Sequence, residues 1–173
     1  MKFLFLLLFL ILSTNLFAQE ISPEQKLNEL GLKLPEVTPP VANYVDVVRS
    51  GNLLFLAGKG SRNEDGTRIT GKVGVDLTIE DGYEAARSIA LQHLAVIKKE
   101  VGDLSNVIRI VKVFGMVNTS PEFTQHSQVI NGYSDFMVQI FGEKGRHARS
   151  AVGMNSLPVN LAVEIEVIVE VKD

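Results

Sequence analysis

Residues 163–171, VEIEVIVEV, alternate without a break: Val163, Ile165, Val167, Val169 and Val171 share one face, and Glu164, Glu166 and Glu170 share the other. β-Branched residues at a period of two specify a half-buried strand. Its apolar face covers a core, and its opposite face carries carboxylates. Just upstream, Ala148 to Gly153 reads as a second strand, and Ser156-Leu157-Pro158-Val159-Asn160 has the turn chemistry to fold the two into a hairpin. A hairpin there brings Arg149 and Glu164 into one neighbourhood. Two readings of that pair stand open. One is an ordinary cross-strand ion pair on an exposed face, worth ~0–1 kcal/mol. The other is a ligand site in which Arg149 grips an acid and Glu164 handles a proton or a water.

The rest of the chain supplies the partners such a sheet requires. Ser22-Pro23-Glu24-Gln25 has capping-box spacing, Leu27 and Leu30 follow as a short stripe, and Gly31 ends the helix. Leu34 to Pro40 is an extended linker by its prolines. Ala42 to Arg49 and Leu53 to Ala57 read as a hairpin turned at Ser50-Gly51-Asn52, with the run Leu53 to Leu56 buried on both faces. Gly58-Lys59-Gly60 then permits a close approach of the backbone to a neighbour or ligand. Thr78-Ile79-Glu80-Asp81 opens a long helix to about Val101, whose face is Ala86, Ile89, Ala90, His93, Leu94 and Ile97. Val107 to Val117 is a long strand. A second helix follows Ser120-Pro121-Glu122 and shows Val129, Tyr133, Phe136, Met137 and Ile140 on one face before Gly142. This order predicts a single α+β domain, a mixed β-sheet with two main helices packed on one face. Several strands carry apolar residues on both faces, so partner subunits are the natural second cover.

At the N-terminus, Lys2 precedes ten apolar residues, Phe3 to Leu12; Ser13, Thr14 and Asn15 break the run, and Leu16-Phe17-Ala18 follow. That is the layout of a signal peptide, cleaved after Ala18, and the apolar run is too short for a stable membrane anchor. The chain then divides into residues 1–18 as leader, 19–40 as helix and linker, and 41–173 as the main domain. A secreted or periplasmic location follows, with no stable anchor after cleavage.

Several chemistries lack their residues. Cysteine is absent, which removes disulfides, thiolate metal sites and a cysteine nucleophile. His93, His126 and His147 are the three histidines, in none of the usual metal spacings, and no Walker loop, GxGxxG or GxSxG elbow occurs. No metal or cofactor is expected. A formal charge of −3 without a basic patch disfavours a broad nucleic-acid surface. His147 precedes Arg149 by two residues and shares its face if the strand has begun there; it then either touches the site or, the favoured reading, is a rim histidine bonded to the backbone.

The stretch HARSAVGMNSLPVNLAVEIEVIVEV resembles the C-terminal signature of the YjgF/YER057c/UK114 family, also called Rid. The longer GEKGRHARSAVGMNSLP, preceded by VINGYSDFM, resembles its endoribonuclease L-PSP or chorismate-mutase-like subgroup. The resemblance covers Leu34 to the C-terminus and implies the family fold and a homotrimer with ligand sites between subunits. It implies that Arg149 pairs with the carboxylate of a 2-imino acid and that Glu164 positions the water that releases ammonia and a 2-keto acid. Tyr44 would lie near the ligand, and the backbone at Gly58 and Ala151 would complete the pocket. Two departures stand out: Ala151 replaces a frequent cysteine, and Ile130 stands in register with a frequent asparagine, with Asn131 one place on. A small-carboxylate binder without catalysis and a ribonuclease are the alternatives to an imine deaminase.

Overall fold

The computed structural model describes residues 21–40 and 42–173; the leader expected over residues 1–18 lies outside them. In chain order the elements are α1 (Pro23–Glu29), β1 (Val47–Ser50), β2 (Leu53–Gly60), α2 (Ile79–Val101), β3 (Val107–Asn118), α3 (His126–Phe141), β4 (Ala148–Met154) and β5 (Val163–Val171). They form one α+β domain with a five-stranded sheet in the order β1-β2-β5-β3-β4. Only β3 and β4 run parallel, joined by α3, and the remaining neighbours are antiparallel.

The local signals hold where the chemistry is local. Ser22 and Gln25 close one capping box, and Thr78 and Asp81 close the other, at 2.9–3.2 Å. Each box satisfies helical N–H groups that would otherwise lack partners. Helices α2 and α3 then cover one face of the sheet, with Ile89, Leu94, Ile130, Tyr133 and Met137 fully buried against Val113, Ile165, Val167 and Val169. The two helices approach so closely that a Cβ at Gly132 would collide with the Tyr83 carbonyl. The other sheet face carries half-buried or exposed residues, among them Phe55 (41% exposed), Glu164 and Glu166.

Three expectations need correction. First, β4 and β5 do not form a hairpin, because β3 lies between them. Residues 155–162 instead cross over β3, a gap of about 10 Å at ordinary strand spacing. Asn118, at the end of β3, holds this crossing by donating to Asn160 Oδ1 (3.0 Å) and the Leu161 carbonyl (3.1 Å). The helical return through α3 makes β4 parallel to β3 and places it at the sheet edge. Second, β2 is not buried on both faces: Leu54 and Leu56 are buried and Phe55 is exposed, since only one face meets helices. Third, β1 begins only at Val47 and α3 only at His126, because Ser120 to Phe123 closes as a turn through a Phe123 N–H bond to the Ser120 carbonyl.

His93 is fully buried. The Tyr133 hydroxyl donates to its Nδ1 at 2.9 Å, and its Nε2–H points at the Ala57 carbonyl at 3.4 Å. Ala57 sits in the β2 bulge between Leu56 and Lys59, so this bridge ties both helices to the irregular part of the sheet. Burial, the larger cause, pushes the His93 pKa down to about 3 from an ordinary 6.5. The unfolded chain therefore binds a proton that the folded chain refuses between these two values. The stability gained by keeping His93 neutral is complete above about pH 6.5 and declines as pH falls towards 3, by at most ~1.4 kcal/mol per pH unit. Urea denaturation between pH 7 and 4 should show this slope, and His93→Gln should flatten it. An unchanged slope in the variant would assign the effect elsewhere.

Candidate functional site

Arg149 lies on edge strand β4 opposite Val113 of β3, which in turn lies opposite Val167 of β5. Residues directly opposite in a sheet share a face, so Arg149 emerges on the helix side. There its Nη1 donates to Asn131 Oδ1 at 2.9 Å and to Ser134 Oγ at 3.0 Å, both from α3. Asn131 and Ser134 are three residues apart and so lie on one helix face. Both acceptors are neutral. Among the described residues no ion pair includes Arg149. The guanidinium is half-buried, permanently charged, and retains its Nε and Nη2 donors.

Behind Ser134 stands His147. Its ring Nδ1 is 2.7 Å from the Gly145 carbonyl, and its Nε2 is 3.0 Å from Ser134 Oγ. A carbonyl only accepts, so Nδ1 carries the hydrogen and Nε2 accepts from the Ser134 hydroxyl. That leaves the Ser134 oxygen lone pairs turned to Arg149. Burial, and to a lesser extent the Arg149 charge, lowers the His147 pKa, which keeps this neutral tautomer in place.

Glu164 is elsewhere. It lies opposite Gly60 of β2 and Met116 of β3, on the face that the helices do not cover. A Cβ at Gly58 would collide with Glu164 Oε1, so only glycine lets the carboxylate lie over the β2 bulge. Burial raises the pKa of Glu164 and nearby Glu166 adds to the rise. Among the described residues, no side chain or backbone group hydrogen-bonds its carboxylate.

The five candidate residues thus separate into groups. Arg149 and Ala151 stand on one strand and one face, and Ala151 packs against the core opposite Gly115. Glu164 and Gly58 are together on the opposite face. Tyr44 precedes β1 and is 57% exposed. Within one chain the sheet itself separates Arg149 from Glu164, which the expected hairpin would have joined. A hollow of about 760 Å³ between residues 31–38, the 62–66 loop and α2 is lined by none of these five. Ser134 and Asn131 were the missed partners of Arg149. The readable signal was a polar pair at helical spacing, Asn131 and Ser134, in the middle of an amphipathic helix, with His147 two residues before the arginine.

Residues 24–171 match a family model described as YjgF/chorismate mutase-like, putative endoribonuclease. The chain belongs to this YjgF family. Protein TCP17 of Trypanosoma cruzi is 45% identical over 148 residues, which is 85% of this chain and 92% of that protein. Among solved YjgF-like structures, Atu1372 of Agrobacterium tumefaciens, a protein of unknown function, is 43% identical with a TM-score of 0.79. That match covers 87% of this chain and 94% of the other. A Shewanella oneidensis protein of the same endoribonuclease description is 31% identical, with a TM-score of 0.83 over 87% and 99% of the two chains. The YjgF fold is therefore shared by this chain and these two solved structures, and the Arg149 and Glu164 surfaces sit on its edge strand and its uncovered face.

The two causes of the Glu164 shift can be separated. Glu166→Gln removes the like charge, so the Glu164 carboxyl should titrate closer to the ordinary carboxylate range while staying above it. Carboxyl-carbon NMR titration measures this, and no movement would leave burial as the whole cause.

Proposed function

We propose that this protein is an exported Rid-type enzyme that binds 2-imino acids in clefts between copies of itself and hydrolyses them to 2-keto acids and ammonia. The observation that carries the reading is the Arg149 guanidinium, half-buried and held by neutral acceptors with no counter-charge among the described residues. A partly buried cation without an anion is costly, and a ligand carboxylate offsets that cost with a fork-on-fork pair. Export is supported by the leader-like composition of residues 1–18.

The chemistry asks little of the protein. Arg149 fixes the ligand carboxylate next to an already electrophilic protonated imine. Water attacks the C2 carbon while Glu164 takes its proton, breaking an O–H bond as the C–O bond forms. Glu164 returns that proton to nitrogen, and as the C–N bond breaks and ammonia leaves, the hydroxyl O–H bond gives its proton to the regenerated carboxylate and the carbonyl forms. A carboxylate whose pKa is raised is suited to both transfers, a general-base contribution of ~10²–10⁴. No ligand within one chain reaches both groups, so the pair closes only if the β4 edge of one copy meets the uncovered face of another. Different surfaces then meet, and such a heterologous contact closes as a ring, of which a trimer is the smallest beyond two. Val48, Phe55 and Ile168 form an apolar row on that face, suited to a partner.

In a coupled ammonia assay with freshly generated 2-iminopropanoate, Arg149→Ala should lower kcat/KM by about 100-fold or more. Glu164→Gln should lower kcat by ~10²–10⁴ and leave pyruvate binding in place. Wild-type rates in the Arg149 variant would reject the reading. Binding without ammonia release would leave a carboxylate-binding protein, and RNA cleavage lost in Arg149→Ala would favour the nuclease instead.

Sedimentation should show a trimer, and Phe55→Lys should shift it towards monomer with loss of activity. An active monomer would exclude clefts shared between copies.

A further inference from the structure

We propose that Ser134 and His147 are positioning residues that hold the Arg149 clamp, and that the clamp works only while His147 is neutral. This rests on the reading of Arg149 as the carboxylate-binding group. Among the described residues Arg149 bonds through a single nitrogen, Nη1, and both acceptors lie on α3. Asn131 Oδ1 accepts without further support from the described residues, whereas Ser134 is itself oriented. A serine hydroxyl free to rotate presents its hydrogen as readily as its lone pairs to a neighbour. Only the His147 Nε2 acceptor draws that hydrogen away from the guanidinium, and only the Gly145 carbonyl, at 2.7 Å from Nδ1, fixes His147 in the tautomer that accepts. The chain of donors therefore has one direction: Arg149 to Ser134 to His147 to Gly145.

Protonation of His147 breaks this direction. Nε2 becomes a donor, the Ser134 oxygen faces two cationic donors, and its own hydrogen loses its acceptor. The groups around His147 do not relieve this. Arg149 comes from β4, Ser134 from α3 and the Gly145 carbonyl from the preceding turn. Tyr133 of α3 presents its ring at 6.3 Å, and its hydroxyl is committed to His93. Adjacent Arg146 is positive and pairs with exposed Glu143 at 2.9 Å. No carboxylate among the described residues bonds His147 to stabilise an imidazolium. The added charge would lie behind Ser134, on the Nη1 side, whereas Nε and Nη2 remain for the ligand. Loss of orientation thus outweighs any added attraction for an anion, and affinity falls on acidification.

The test is isothermal calorimetry of pyruvate binding to the full chain between pH 5 and 8. It is run in the Glu164→Gln background so that Glu164 does not titrate. Affinity should fall progressively as pH is lowered from 7.5 to 5, towards a limit of about tenfold with His147 fully protonated, the scale of one hydrogen bond to a charged group. Ser134→Ala and His147→Ala should each bind about tenfold more weakly at pH 7.5. His147→Gln can accept from Ser134 and cannot titrate, so it should restore affinity and remove the pH dependence. If His147→Ala does not fold, His147→Gln and Ser134→Ala decide the matter alone. Should Arg149→Ala bind pyruvate normally, the clamp reading itself falls. Should Arg149→Ala lose binding while Ser134→Ala keeps it and His147→Gln keeps the pH dependence, only the positioning role is wrong.

Discussion

The structure depends on β5 being amphipathic at the centre of its sheet. Val163, Ile165, Val167, Val169 and Val171 are buried to 1% exposure or less, and between them Glu164, Glu166 and Glu170 cannot be buried at comparable cost. One face must therefore take both long helices, and the other stays free of them. Every later feature inherits this division. Helix α3, bound to the covered face, is where Arg149 finds its acceptors, and the uncovered face is where Glu164 is exposed to a partner or to solvent.

Two histidines serve the two halves of the proposed site in similar ways. His93 joins Tyr133 of α3 to the Ala57 carbonyl, and the adjacent Gly58 makes room for Glu164. His147 joins the Gly145 carbonyl to Ser134, which bears on Arg149. Burial depresses both pKa values, so both rings are neutral where the protein is folded at ordinary pH. In each case the backbone carbonyl selects the tautomer, and the remaining nitrogen orients a hydroxyl. Neither ring has to touch a ligand to matter to it.

What was legible in the chain was what neighbours within a few residues decide. Thr78 and Asp81 close their box because they are three residues apart on a nascent helix. The two faces of β5 follow from its period of two, and the apolar stripes of α2 and α3 follow from theirs. The placing of His147 against the backbone followed from its position before the strand. The hairpin between β4 and β5 failed although its turn residues are present, because β3, which ends at Asn118, 45 residues before β5 begins at Val163, pairs with both. Asn131 looked out of register with its family counterpart, yet it reaches Arg149 from the helix face it shares with Ser134.

Sequence alone determined the elements, their apolar faces, the family to which the chain belongs and the identity of the charged pair, because each rests on short-range periodicity or on a contiguous motif. Tertiary structure decided which strands are neighbours, and with that the side of the sheet on which each charge emerges. The physical reason is that a side chain's face is set by register with a partner strand, and the partner is chosen by packing between segments far apart in the chain. Arg149 and Glu164 are fifteen residues apart in sequence and on opposite faces of one sheet in space.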